Sequence, residues 1–118
     1  MTTQAVLLVD DELPILTLVG DALEDEGYAV SRARSGAEAI AKLKLGESFD
    51  LIVSDVSMPD GISGVDLAHA ARALNSQAKI ILVSGHPKAQ LDAFPPDVAY
   101  LPKPYRLAQL LGAIEQLS

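Results

Sequence analysis

Cysteine and tryptophan are absent from this chain, and only two phenylalanines and three tyrosines stand among its 118 residues. Without cysteine there is no disulfide framework, no thiolate zinc site and no cysteine nucleophile, and a reducing compartment is the natural setting. Basic residues are scarce as well, 9 against 16 acidic, for a formal net charge of −7. With a pI near 4.6 and no cluster of Lys or Arg, the chain lacks the footprint of a nucleic-acid binder. Direct nucleic-acid contact and docking on an anionic membrane are therefore not expected. The apolar run near the N-terminus, Ala5 to Val9, is too short for a signal peptide or a membrane span, and Met1-Thr2-Thr3-Gln4 ahead of it carries no basic residue. The expected location is the cytoplasm.

What is present is apolar and evenly spread, 49% of all residues, as expected for one domain over residues 1–118. At this length folding buries roughly two-thirds of the surface of the unfolded chain, enough for a core without metal or disulfide staples. Ala5-Val6-Leu7-Leu8-Val9, Leu51-Ile52-Val53 and Ile80-Ile81-Leu82-Val83 are continuously apolar rather than alternating. That is the pattern of parallel strands covered on both faces. The mixed stretch Tyr28 to Ala33 and the short Val98 to Leu101, stopped by Pro102, suit edge strands.

Helical spacing lies between the strands. Ile15, Leu18, Val19 and Ala22 predict a first helix closed by Gly27. Ser35 to Glu38 has capping-box spacing ahead of Ile40 and Leu43, with Gly46 beyond. Leu67, Ala71 and Leu74 mark a third helix, and Leu107, Leu110, Leu111, Ile114 and Leu117 a last one. Strict βα alternation with right-handed crossovers predicts an α/β fold, a doubly wound five-stranded parallel sheet. Between Gly85 and Ala99, Pro87 can open a fourth helix but Pro95-Pro96 must close it, so it is expected to be short or irregular.

In such sheets ligands sit beyond the carboxyl ends of the strands. Strand one ends in Asp10-Asp11, strand three in Asp55, strand four in Ser84, and strand five runs into Lys103-Pro104. Carboxylates gathered on one rim repel by about 4 kcal/mol per pair at ~4 Å in a surface-like dielectric. A cation belongs there, and an all-oxygen cluster suits Mg²⁺, which keeps waters and shares itself with phosphate. A carboxylate beside that ion, with a hydroxyl and a lysine near, is equipped to attack phosphorus and form an acyl phosphate. Taken singly, each residue also has a plain structural explanation. Asp11 suits an N-cap of the first helix, Asp55 and Ser84 suit turns, and Lys103 suits a solvated surface. Co-location at four strand ends favours chemistry.

Asp10-Asp11, Asp55-Val56-Ser57-Met58-Pro59 with Gly64 downstream, Ser84-Gly85, and Tyr100-Leu101-Pro102-Lys103-Pro104 together resemble the receiver domain of two-component response regulators, over essentially the whole chain. The resemblance implies the strand order 2-1-3-4-5 and a phosphorylatable signalling receiver rather than an enzyme with an external substrate. It makes Asp55 the phosphoacceptor. Asp10 and Asp11 would hold Mg²⁺ together with Asp55 and the Ser57 main-chain carbonyl, Ser84 and Lys103 would contact the phosphoryl group, and Ser84 with Tyr100 would form the switch. Ser57 and His86 would tune the lifetime of the acyl phosphate, and Lys103-Pro104 would be a cis peptide. The implied phosphodonor is a sensor histidine kinase or a histidine phosphotransfer protein, and the downstream target is open. Asp60 to Gly64 is one residue longer than the family's commonest loop.

Two other functions compete. A Mg²⁺-dependent aspartyl phosphohydrolase would require a second aspartate two residues after the nucleophile, where Ser57 stands. A flavodoxin-like binding module would need aromatic residues to sandwich a flavin, and few are available. No segment beyond the last helix is long enough for an output domain, so the expectation is a stand-alone receiver or a receiver cut from a longer polypeptide such as a hybrid kinase.

Overall fold

The computed structural model describes residues 3–58, 61–74, 76–86 and 97–117. Their order is β1 (Ala5–Val9), α1 (Leu13–Asp25), β2 (Ala29–Ala33), α2 (Gly36–Lys44), β3 (Leu51–Asp55), α3 (Gly64–Ala73), β4 (Lys79–Ser84), β5 (Ala99–Pro102) and α4 (Leu107–Gln116). All strand pairs are parallel, and the sheet runs β2-β1-β3-β4-β5. This is the expected order, with the two mixed strands at the edges. The irregular helix foreseen between Pro87 and Phe94 lies outside the described residues, so α4 here is the last helix.

Alternation along the strands explains why they read as unbroken apolar runs. Leu7, Val9, Ile52, Ile80 and Leu82 face α2 and α3, meeting Ala39, Leu43, Leu67, Ala68 and Ala71. Val6, Leu8, Val53, Ile81 and Val83 face the other way, onto Leu16, Val19 and Leu23 of α1 and Leu110 and Ile114 of α4. Both faces are covered, so both parities of the central strands are largely apolar, and the buried Ser54 is held by a hydrogen bond to the Asp55 carbonyl. Among the described residues no helix is long and apolar enough to cross a membrane.

Local chemistry sets the helix ends. Ser35 Oγ accepts the Glu38 amide at 3.1 Å, while the Glu38 carboxylate turns back to the Arg34 amide at 3.1 Å rather than to Ser35. Ser63 and Asp66 form a full capping box at the start of α3. Gly27 and Gly46 follow α1 and α2 with φ of +99° and +87°, the left-handed stop that glycine adopts freely.

Two expectations about helices need correction. In α1 the buried residues are Leu16, Val19, Gly20 and Leu23, so of the expected stripe Val19 is buried and Ile15 packs at the core's edge, whereas Leu18 is 69% exposed. Five apolar residues from Leu13 to Val19 leave the helical period without a unique phase. The N-cap of α1 is Glu12, with no side-chain cap, and the Asp11 carboxylate lies in the strand-end cluster instead. Leu74 and Leu107, read as core, are 41% and 38% exposed, each at the last or first turn of its helix where the apolar face leaves the sheet.

Candidate functional site

The three central strands each deliver a buried polar residue to one rim. Asp10 follows β1 and is 7% exposed, Asp55 ends β3 at 8%, and Ser84 ends β4 at 2%. Such groups stay buried only if held. The Asp10 amide donates to the Ala33 carbonyl of β2 at 3.1 Å, and its Oδ1 accepts the Glu12 amide at 2.8 Å. That contact, one residue before α1, fixes the carboxylate's direction. Ser54 Oγ donates to the Asp55 carbonyl at 2.9 Å, and the Val56 amide continues the ladder to Val83 at 2.9 Å.

Carboxylate oxygens of Asp10, Asp11 and Asp55 all lie within 4.8 Å of one another. Burial raises the pKa of Asp10 above its ordinary 3.8, and the charges of Asp55 and Asp11 add to that despite the Glu12 amide and Lys103. Lys103 Nζ donates to Asp55 Oδ2 at 2.8 Å. Burial works against the Lys103 charge, but the hydrogen bond and charge of Asp55, aided by Asp10 and Glu12, hold its pKa above 10.5. One ammonium facing three carboxylates leaves net negative charge in a partly dry site. An oxygen-only donor set of this kind fits a hard divalent cation such as Mg²⁺.

The remaining expected residues fall around this cluster. The Ser84 carbonyl accepts the Lys103 amide at 2.8 Å, and Ser84 Oγ accepts the His86 amide at 2.9 Å. The Tyr100 hydroxyl donates to the His86 carbonyl, so Ser84 and Tyr100 are joined through the main chain of one residue. The side chains of Ser57 and His86 are exposed. The Lys103-Pro104 peptide is cis. Gly61, in the lengthened loop, has φ +82°, while Pro59 and Asp60 fall outside the described residues.

Tyr105 was not foreseen. It packs against the α1 and α4 core, and burial, then the charge of Asp10, raises its phenol above 10.0. Its signal in the sequence is an aromatic residue directly after Lys103-Pro104, just past the end of the fifth strand. With Ile15, Leu18, Ala22 and Leu107 it lines an apolar groove of about 650 Å³ whose margin carries Glu12 and Lys103.

Comparison with known proteins agrees with this geometry. The response regulator receiver domain profile matches residues 6–115. The response regulator receiver protein CpdR of Brucella abortus is 31% identical over 115 residues, spanning 95% of this chain and 94% of that one. The sensor kinase CckA of the same organism is 38% identical over 119 residues, 95% of this chain but only 12% of the kinase. Among solved structures, the response regulator protein TrrA of Thermotoga maritima, in complex with Mg²⁺ and BeF, superposes with a TM-score of 0.85 at 32% identity, covering 98% of this chain and all of that one. With its strand order, its acidic strand ends and this match over nearly its full length, the chain belongs to the response regulator receiver domain family.

Proposed function

We propose that this protein accepts a phosphoryl group on Asp55 from a phosphohistidine donor and thereby changes its partner-binding surface. The observation that carries this reading is the convergence of Asp10, Asp11 and Asp55 within 4.8 Å with Lys103 on Asp55 Oδ2. A carboxylate oxygen of Asp55 attacks phosphorus, the P–N bond of the donor breaks, and the imidazole leaves with the electron pair. Asp10, Asp11, Asp55 and the Ser57 main-chain carbonyl would hold Mg²⁺, which supplies neutralisation of charge on the phosphoryl oxygens. Lys103, already directed at Asp55, contributes a second positive charge, and Ser84 a hydroxyl donor. Nothing beyond positioning and charge is required of the protein.

The donor is a sensor histidine kinase or a histidine phosphotransfer protein, and the reaction takes place in the cytoplasm. The apolar groove along α1 supports this, since a helix lying in it would bring its own side chains to the Glu12 and Lys103 end, beside Asp55. Ser84 would leave the His86 amide for the phosphoryl group. That loosens the turn that Tyr100 also holds, which is how a local charge reaches the β5 surface. Ser57 and His86 flank the rim and would govern access of water.

Intact mass after incubation with acetyl phosphate and Mg²⁺ tests the reading. The wild-type chain gains one phosphoryl group, and Asp55→Asn gains none. A phosphoryl group on the Asn variant would place the acceptor elsewhere.

A further inference from the structure

At two glycines the obstacle to a β-carbon includes a neighbouring backbone, whereas at a third, Gly20, it is only the far end of the Arg32 side chain, 2.5 Å away. Gly36 opens α2 directly after the capping residue Ser35, in ordinary helical backbone where glycine has no conformational advantage. A Cβ there would stand 2.6 Å from Cγ2 of Ile62, 2.9 Å from its Cβ and 3.0 Å from its carbonyl oxygen. Rotating the β-branched side chain relieves only the first of these contacts, so the Ile62 backbone itself is the neighbour. Gly64 is the second. Its missing Cβ would lie 2.4 Å from the Asp55 carbonyl oxygen and 3.0 Å from the Val56 Cα, and its amide donates to the Val56 carbonyl at 2.8 Å.

Ser63 alone separates these two contacts, and the capping box with Asp66 holds it. The start of α2 is thus connected to the Asp55 backbone through three fixed residues, Ile62, Ser63 and Gly64. The same junction also reaches Asp10, whose amide is bound by Ala33, three residues before Gly36. By contrast, a Cβ on Gly112 in α4 would meet nothing within 4 Å.

We propose that Gly36 is a positioning residue for Asp55, its absent side chain letting Ile62 seat against α2 so that Gly64 closes on the Asp55 carbonyl. This rests on Asp55 being the phosphoacceptor. An added methyl at Gly36 displaces Ile62, opens the contact between Gly64 and Asp55, and moves the acceptor oxygens relative to Asp10 and Lys103.

The test compares Gly36→Ala, Gly36→Ala with Ile62→Ala, and Gly112→Ala by phosphorylation rate with acetyl phosphate and Mg²⁺. Amide ¹H–¹⁵N shifts are recorded alongside, all at a temperature where each variant is folded. Gly36→Ala is expected to slow phosphorylation by about tenfold, the scale on which sub-ångström misplacement acts, and to shift the amides of Val56 and Gly64. The double variant, which loses the 2.6 Å contact and keeps those to the residue-62 Cβ and carbonyl, recovers part of the rate, and Gly112→Ala matches wild type. A Gly36→Ala protein reacting at the wild-type rate, or a double variant as slow as the single one, overturns the proposal. Should Gly36→Ala not fold, a folded and reactive double variant supports it and an unfolded one refutes it. A wild-type chain that takes no phosphoryl group would instead refute the receiver function, and the Val56 and Gly64 shifts would then decide the role of Gly36 alone.

Discussion

Lys103 reaches past β4 to hydrogen-bond Oδ2 of Asp55 at 2.8 Å, although β5 and β3, which carry the two residues to the rim, are not neighbours in the sheet. The ammonium is about one-third exposed and the carboxylate is buried. The pair is therefore unequal, since water can solvate the lysine but hardly the aspartate.

Replacing Lys103 by Met keeps the stem and removes the charge. The ion-free protein is expected to lose about 1–3 kcal/mol, less than a fully buried pair would cost because the lysine is partly solvated. Mg²⁺ binding should tighten, since a competing cation has gone, while phosphorylation by acetyl phosphate drops sharply. Urea unfolding in EDTA and a Mg²⁺ titration measure the two effects, and weaker Mg²⁺ binding by the variant would contradict the electrostatic account.

Asp10 carries the opposite liability. Burial first, and Asp55 next, raise its pKa in the folded protein, so the native state keeps the proton at a pH where the unfolded chain has released it. This contribution to stability is fully present below the ordinary value of 3.8 and is lost as pH rises through the raised one. Asp10→Asn retains an Oδ1 for the Glu12 amide and does not titrate. In EDTA its urea midpoint should exceed that of wild type at pH 7, with a gap that narrows toward about pH 4. A constant gap would show that the carboxylate charge is not the cause.

The phase of α1 is open to a direct comparison. Leu16 is 2% exposed and Leu18 69%. Leu16→Ala should cost about 2–5 kcal/mol through the cavity it leaves, and Leu18→Ala no more than about 0.5 kcal/mol. Equal losses in chemical denaturation would mean that the helix is rotated from the orientation described.

His86 offers its main chain to both Ser84 and Tyr100, and its side chain is exposed. His86→Ala is expected to change the rate of phosphoryl loss from Asp55 several-fold. Following the decay of the phosphorylated mass decides it. An unaltered rate would leave only the backbone of His86 with a role.

Much of this arrangement is legible in the residues because parallel strands covered on both faces are apolar at nearly every position, which makes their polar ends conspicuous. Asp10, Asp55, Ser84 and Lys103 are found that way. Asp11 is less plain, since an acidic residue ahead of a helix is also the usual form of a cap, and only the three-dimensional convergence separates the two readings. The orientation of α1 is not legible, because Leu13, Ile15, Leu16, Leu18 and Val19 make the helix apolar nearly all round. Tyr105 feels the charge of Asp10, and Gly36 lies against Ile62, each across segments distant in the chain, and no local pattern announces such proximity.

β5 is a four-residue edge strand that pairs only with β4, whereas Asp10 and Asp55 follow β1 and β3, which are paired on both sides. Local opening free energy falls from the centre of a sheet to its margin. Lys103 therefore hangs from a margin of the sheet, where opening costs least, and Asp55 from its interior, where opening costs most. A brief detachment of β5 withdraws the lysine and leaves the acidic cluster in place, so hydrogen exchange at Tyr100 and Leu101 reports how often the native protein visits a state with its carboxylates assembled and their counter-charge gone.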